Sequence, residues 1–187
     1  LLNQRIMRQT PAVVDVECTV DVPVPTEIEI EAGTKFSVSS SDGSQIFYEI
    51  YSAPNDWVSS IKIRPNKRGV IAWGVEGQFG STASFTSAGG PNQVYTLVDD
   101  DILEHPIFVN VMYGSSKEEW TPVFEPIENY GPNDKVVEVS FIGGNVKFSF
   151  GDDITGKTPL SGSEILIDYR VGGGKKGRIG VGLINTS

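Results

Sequence analysis

From residue 13 onward, segment after segment of this chain alternates apolar and polar residues with a period of two, while helical periodicity is almost missing. Period two puts successive side chains on opposite faces of a strand, so a chain patterned this way is confined to building sheets. "VVDVECTVDV" sets Val14, Val16, Cys18, Val20 and Val22 on one face and Asp15, Glu17 and Asp21 on the other. "EIEIEAGTKFSVSSSDGSQIFYEIYS" reads as three strands, with turns at Ala32-Gly33 and Ser41-Asp42-Gly43. "SSIKIRP" and "GVIAWGVEG" follow on either side of "NKRG". Residues 78–93 are rich in Gly, Ser and Thr and lack a long apolar run, which marks a module boundary. Beyond it come "VYTLV", "IFVNVMY", "EWTPVF", "KVVEVSF", "NVKFSF", "EILIDYRV" and "RIGVGLI". The pattern predicts a mainly β chain of two small sandwich- or barrel-like modules, residues 1–80 and 81–187, with short, mostly antiparallel strands. At most a short helix is expected, over residues 1–9, ended by Pro11.

The charge distribution narrows the function. Net charge is -9. Arg170, Lys175, Lys176 and Arg178 give residues 170–187 a charge of +4 with no acid, which leaves -13 on the rest. An acidic body repels phosphates, so nucleic acid is not the expected partner; the basic tail suits an acidic protein surface, such as another copy. No stretch approaches 18 consecutive apolar residues, so membrane insertion is not expected. Cys18 is the only cysteine and lies in an alternating segment, where an inert core thiol fits better than a nucleophile. The start, "LLNQRIMRQT", lacks both a signal-peptide pattern and an initiating Met, and reads as a piece of a longer chain.

One motif suggests chemistry. Gly151, Gly156, Lys157 and Thr158 spell the letter pattern of a phosphate-binding loop. Such a loop needs a strand before it and a helix after it whose N-terminus faces the phosphates. The strand is there in "NVKFSF", but Pro159 pushes Thr158 out of the helical region and "EILIDYRV" alternates as a strand. Asp152 and Asp153 would also repel phosphate. The stretch reads instead as a long hairpin connection between "NVKFSF" and "EILIDYRV", with Gly151, Asp152, Gly156, Pro159 and Gly162 forming the turns.

"VKFSFGDDITGKTPLSGSEILIDYRVGGGKKGRIGVGLI" resembles the signature of baseplate J-like proteins, wedge components of contractile phage tails and related injection machines. The matching positions are Phe150, Gly151, Asp152, Gly156, Pro159, Gly162, Tyr169, Arg170, Gly172, Gly173, Gly174 and Gly177. "IEIEAGTKF", "WGVEGQF", "GGPNQVYTLVDDDILEHPIFVNV" and "EEWTPV" are similar to upstream parts of the same family, so the likeness covers residues 11–184. Departures are Asp153 for a usual Gly, Glu31 where Pro is common, and Arg178-Ile179 for Asn-Val. The resemblance implies a non-enzymatic structural part of the virion's tail baseplate, assembled in the host bacterial cytoplasm, without cofactor. It also implies partners among copies of itself and other wedge proteins, and repacking when the sheath contracts. Gly172, Gly173, Gly174, Lys175, Lys176 and Arg178 become the assembly or hinge candidates. A carbohydrate- or receptor-binding β-module is the alternative, and it would need Trp57 or Trp120 as an exposed platform.

The remaining chemical candidates are weak. His105 stands alone before Pro106 and suits a surface or turn position. Asp99, Asp100 and Asp101 lack the alternating ligand spacing of a calcium loop, and a cation there stays an open question. Glu118 and Glu119 are neighbours on a strand and face opposite ways. Trp57, Trp73 and Trp120 fit cores or an assembly interface.

Overall fold

A computed structural model describes residues 10–39, 43–99 and 101–173. The expected N-terminal helix, the Ser41-Asp42 part of one turn, Asp100, and the segment from Gly174 through "RIGVGLI" fall outside the described residues. Among those described, thirteen strands and one three-residue 3-10 turn (Ile127–Asn129) make up the regular structure. The chain divides into two compact units, residues 10–79 with 171–173, and Gly80–Arg170.

The first unit contains β1 (Val13–Thr19), β2 (Ile28–Ile30), β3 (Thr34–Ser39), β4 (Gln45–Tyr51), β5 (Ile61–Ile63) and β6 (Gly69–Glu76). An antiparallel sheet runs in the order β1-β6-β4-β3, and β2 pairs with β5 in a separate ribbon. Alternation decides the inward face: Val16, Ala72 and Ile50 are buried, and Cys18, Phe36 and Val70 pack with Ile30 and Ile61 of the ribbon. Burial pushes the Cys18 thiol up from its ordinary value.

The second unit holds most of β7 (Gln78–Thr86), then β8 (Val94–Val98), β9 (Ile102–Tyr113), β10 (Ser116–Val123), β11 (Val136–Ile142), β12 (Asn145–Phe150) and nearly all of β13 (Glu164–Val171). These form one seven-stranded sheet in the order β7-β13-β9-β10-β11-β12-β8, curled into a nearly closed barrel. β10 and β11 run parallel. The two outermost strands meet through Phe85 and Tyr95, whose ring centroids lie 4.9 Å apart, and the Tyr95 hydroxyl reaches the Thr86 carbonyl at 3.1 Å. Phe148, Phe150, Ile165, Ile167 and Val137 fill the interior with almost no exposure.

Three sequence expectations need correction. Residues 78–86 are a nine-residue strand; from Phe79 on, its half-buried positions are Phe79, Ser81, Ala83 and Phe85, and the small Ser81 and Ala83 between the two aromatics hide a period of two. The stretch from Gly151 to Ser163 is not a hairpin, because β12 pairs with β11 and β8 whereas β13 lies between β7 and β9. It is a crossover. Finally, the module expected over 81–187 ends at Arg170, and Val171 to Gly173 return to the first unit. Gly173 donates its N–H to the Glu76 carboxylate at 2.7 Å, which ties the segment there.

Candidate functional site

The residues that carry the family resemblance occupy two places. The first is the crossover after β12. A Cβ on Gly151 would stand 2.1 Å from the Gly156 carbonyl oxygen, so the two backbone segments touch in a way only glycine permits. Asp152 Oδ1 accepts from the N–H groups of Ile154 (2.9 Å) and Thr155 (2.8 Å) and from the Thr155 hydroxyl (3.2 Å). Those donors, led by the Thr155 N–H, hold the Asp152 carboxyl below the usual carboxylate range. Asp153 sits at φ 64 and accepts from the Thr158 N–H at 2.9 Å. Gly156 N–H donates to the Gly131 carbonyl, Lys157 N–H to the Asp134 carbonyl, and the Thr158 hydroxyl to the Gly151 carbonyl.

This geometry answers the phosphate-loop question. The N–H groups that would grip phosphate are spent on Asp152, Asp153, Gly131 and Asp134, and no helix follows Thr158. The far limb is also fixed. Ser87 donates its N–H to the Ser163 carbonyl and its hydroxyl to the Pro159 carbonyl, while Gly162 N–H returns to the Ser87 carbonyl. Gly89 lies against Ser161 so closely that a Cβ would come within 2.5 Å of the serine's Cβ. What remains exposed is apolar: Ile154 is 74% and Leu160 60% accessible.

The second place is the glycine junction after β13. A Cβ on Gly172 would meet Glu76 Oε1 at 2.7 Å and the Gly77 Cα at 2.8 Å. Glu76 and Glu49 are both buried carboxylates on neighbouring strands. Glu49 accepts from the Tyr51 hydroxyl at 2.8 Å and the Phe79 N–H at 3.0 Å, with Lys35 Nζ at 3.9 Å. Burial, and then the nearby Glu76 charge, push the Tyr48 phenol up to about 12. Gly173 is thus bonded to the Glu76 carboxylate, and Gly172 packs against it. Gly174, Lys175, Lys176 and Arg178 lie outside the described residues.

The other candidates are dispersed. His105 is exposed within β9, its ring edge-on to Phe124 at 4.9 Å. Asp101 N–H donates to Asp99 Oδ1, closing a local turn. Glu118 pairs with Lys135 at 3.0 Å, which is the main cause holding its carboxyl low, and Glu119 faces the other way. Trp120 is buried against Phe150 and cannot offer a sugar platform; Trp57 is half-buried, edge-on to Tyr51. Among the described residues no three His, Cys, Asp or Glu come together as a metal site, and no helix is long and apolar enough to cross a membrane. Glu49, central to the geometry, carries no sequence signal beyond being a single polar letter within a strand, whereas Glu76 and Gln93 lie in segments quoted for the resemblance. No family model, curated protein or solved structure matches this chain.

Proposed function

We infer that this chain is a structural part of a contractile phage tail baseplate, a wedge or ring protein that acts by assembly rather than by catalysis. Its partners in this reading are copies of itself and other wedge proteins, its place is the virion after assembly in the host bacterial cytoplasm, and it repacks when the sheath contracts. The observation that carries the reading is the crossover from Gly151 to Ser163. The resembling residues there spend their polar groups on each other, and that internally bonded frame presents Ile154 and Leu160 to solvent. Exposed aliphatic side chains on a pre-ordered loop suit a protein contact, since little entropy remains to be lost on docking.

The test is peptide mass spectrometry on purified tail particles from the source. Peptides of this chain, joined to further sequence and travelling with sheath and tube proteins, are the expected result. Recovery of the chain only at this length, free of any particle, would sink the reading.

A further inference from the structure

The first unit displays a rigid basic turn. Lys67 N–H donates to the Arg64 carbonyl at 3.1 Å, with Pro65 in the second position and Asn66 at φ 62 in the third, the pattern of a type II turn. Asn66 N–H bonds to the Val24 carbonyl at 2.8 Å and Val20 N–H to the Arg68 carbonyl at 2.7 Å, which fixes the turn to the chain between β1 and β2. Residues 64–68 are all exposed. Lys62 pairs with Glu27 at 3.0 Å, but among the described residues Arg64, Lys67 and Arg68 form no ion pair. A turn whose backbone is already fixed loses little entropy on docking, and its charges select an acidic partner.

The second unit offers the counterpart. Gly156 N–H on the Gly131 carbonyl and Lys157 N–H on the Asp134 carbonyl hold the loop before β11 against the crossover. Glu125, Glu128, Asp134 and Asp153 are exposed in these two segments, and the 74% accessible Ile154 follows Asp153. The lysines of the region serve another acid. Lys135 Nζ lies 3.0 Å from Glu118, whose carboxyl is held low by that hydrogen bond first and by the Lys157 charge as well. Acids about an exposed aliphatic side chain match a basic turn whose own apolar member, Pro65, is exposed. We propose that the turn at 64–68 of one copy docks on the acidic loops at 125–134 and 152–154 of a second copy. A phosphate polymer would meet the same cations, but a net charge of -9 repels it. Two different faces make the contact heterologous, so it repeats from copy to copy as a ring or a filament. The inference rests on the reading that copies of this chain assemble, and it gives that assembly its surfaces.

Sedimentation velocity of the full chain over a concentration series tests it. The unaltered chain is expected to self-associate, and added salt to weaken that association. Arg64→Glu/Lys67→Glu/Arg68→Glu and, separately, Glu125→Lys/Glu128→Lys are each expected to weaken it about tenfold, since exposed ion pairs are individually modest. An equimolar mixture of the two variants restores association, because the first keeps the native acidic loops and the second the native basic turn. Circular dichroism reports that both variants stay folded. A chain that stays monomeric at every concentration, or association indifferent to both sets of changes, overturns the proposal. Binding of inorganic polyphosphate through the same cations without self-association assigns the turn to a phosphate polymer and likewise overturns it. The baseplate reading fails separately: peptides of this chain in tail particles, beside a monomeric isolated chain, leave that reading standing and overturn only the contact between copies.

Discussion

Asp153 holds two opposing effects at one position. Its φ of 64 is a left-handed conformation that costs a non-glycine residue about 1 kcal/mol. Its carboxylate meanwhile caps the Thr158 N–H at 2.9 Å, worth about 1 kcal/mol. Asp153→Gly relieves one and loses the other, so its stability is expected to stay within roughly 0.5 kcal/mol of the parent. Asp153→Ala keeps the strain and loses the cap, and is expected to cost about 1–2 kcal/mol by urea denaturation. Asp152 gives a pH signature. Its folded carboxyl lies below the unfolded value of about 3.9, so its contribution is present above that pH and is lost as pH falls through the lower folded value. Melting temperature measured down through pH 4 is expected to fall less steeply in Asp152→Asn than in the parent. The turn role of both aspartates was readable from their place between glycines. The Gly131 and Asp134 carbonyls that take the Gly156 and Lys157 N–H groups were not, because they lie more than about twenty residues upstream.

At the scale of elements, one amide adds to the closure of the barrel. Gln93 Oε1 accepts from the Ala88 N–H at 2.8 Å and the Tyr95 hydroxyl at 2.8 Å, with Ser87 Oγ 3.1 Å away. The Gln93 carbonyl also receives the Phe150 N–H at 2.9 Å, and the next residue back, Asn92, donates to the Gly151 carbonyl. The loop between β7 and β8 is thereby stitched to the crossover after β12. Gln93→Leu leaves the Ala88 N–H without its acceptor and is expected to cost about 2 kcal/mol, with faster amide exchange concentrated in β7 and β8. Every other strand placed from alternation within the described residues appears in the structure, with ends shifted by a few residues. β7 escaped because Ser, Thr, Ala and Gly carry too little hydrophobic contrast to reveal a face. Strand neighbours escaped as well. Alternation says which face is buried, but not that β12 sits beside β8 while β13 slips between β7 and β9.

The molecule as a whole has two cores. Ile61 and Ala72 belong to the first, and Phe148 and Phe150 to the second. Trp57 and Trp73 lie in the first unit and Trp120 in the second, so fluorescence of single-tryptophan variants separates them. Ile61→Ala is expected to destabilise by about 2–4 kcal/mol the transition seen by Trp57, and Phe148→Ala by about 3–5 kcal/mol that seen by Trp120. Equal shifts of both probes by either change would show that the chain unfolds as one unit. By itself, the sequence determined the β class and most of the strands. Those rest on local physics, namely side-chain alternation, proline sterics and turn residues. Only the tertiary structure decided the return of Val171 to Gly173 to the first unit, the crossover in place of a hairpin, and the burial of Trp120. Each of these depends on contacts between residues far apart in the chain, and Gly173 on the Glu76 carboxylate is the clearest of them. Backbone hydrogen bonds look alike wherever they form, so the sequence offers no mark of which distant partner takes them.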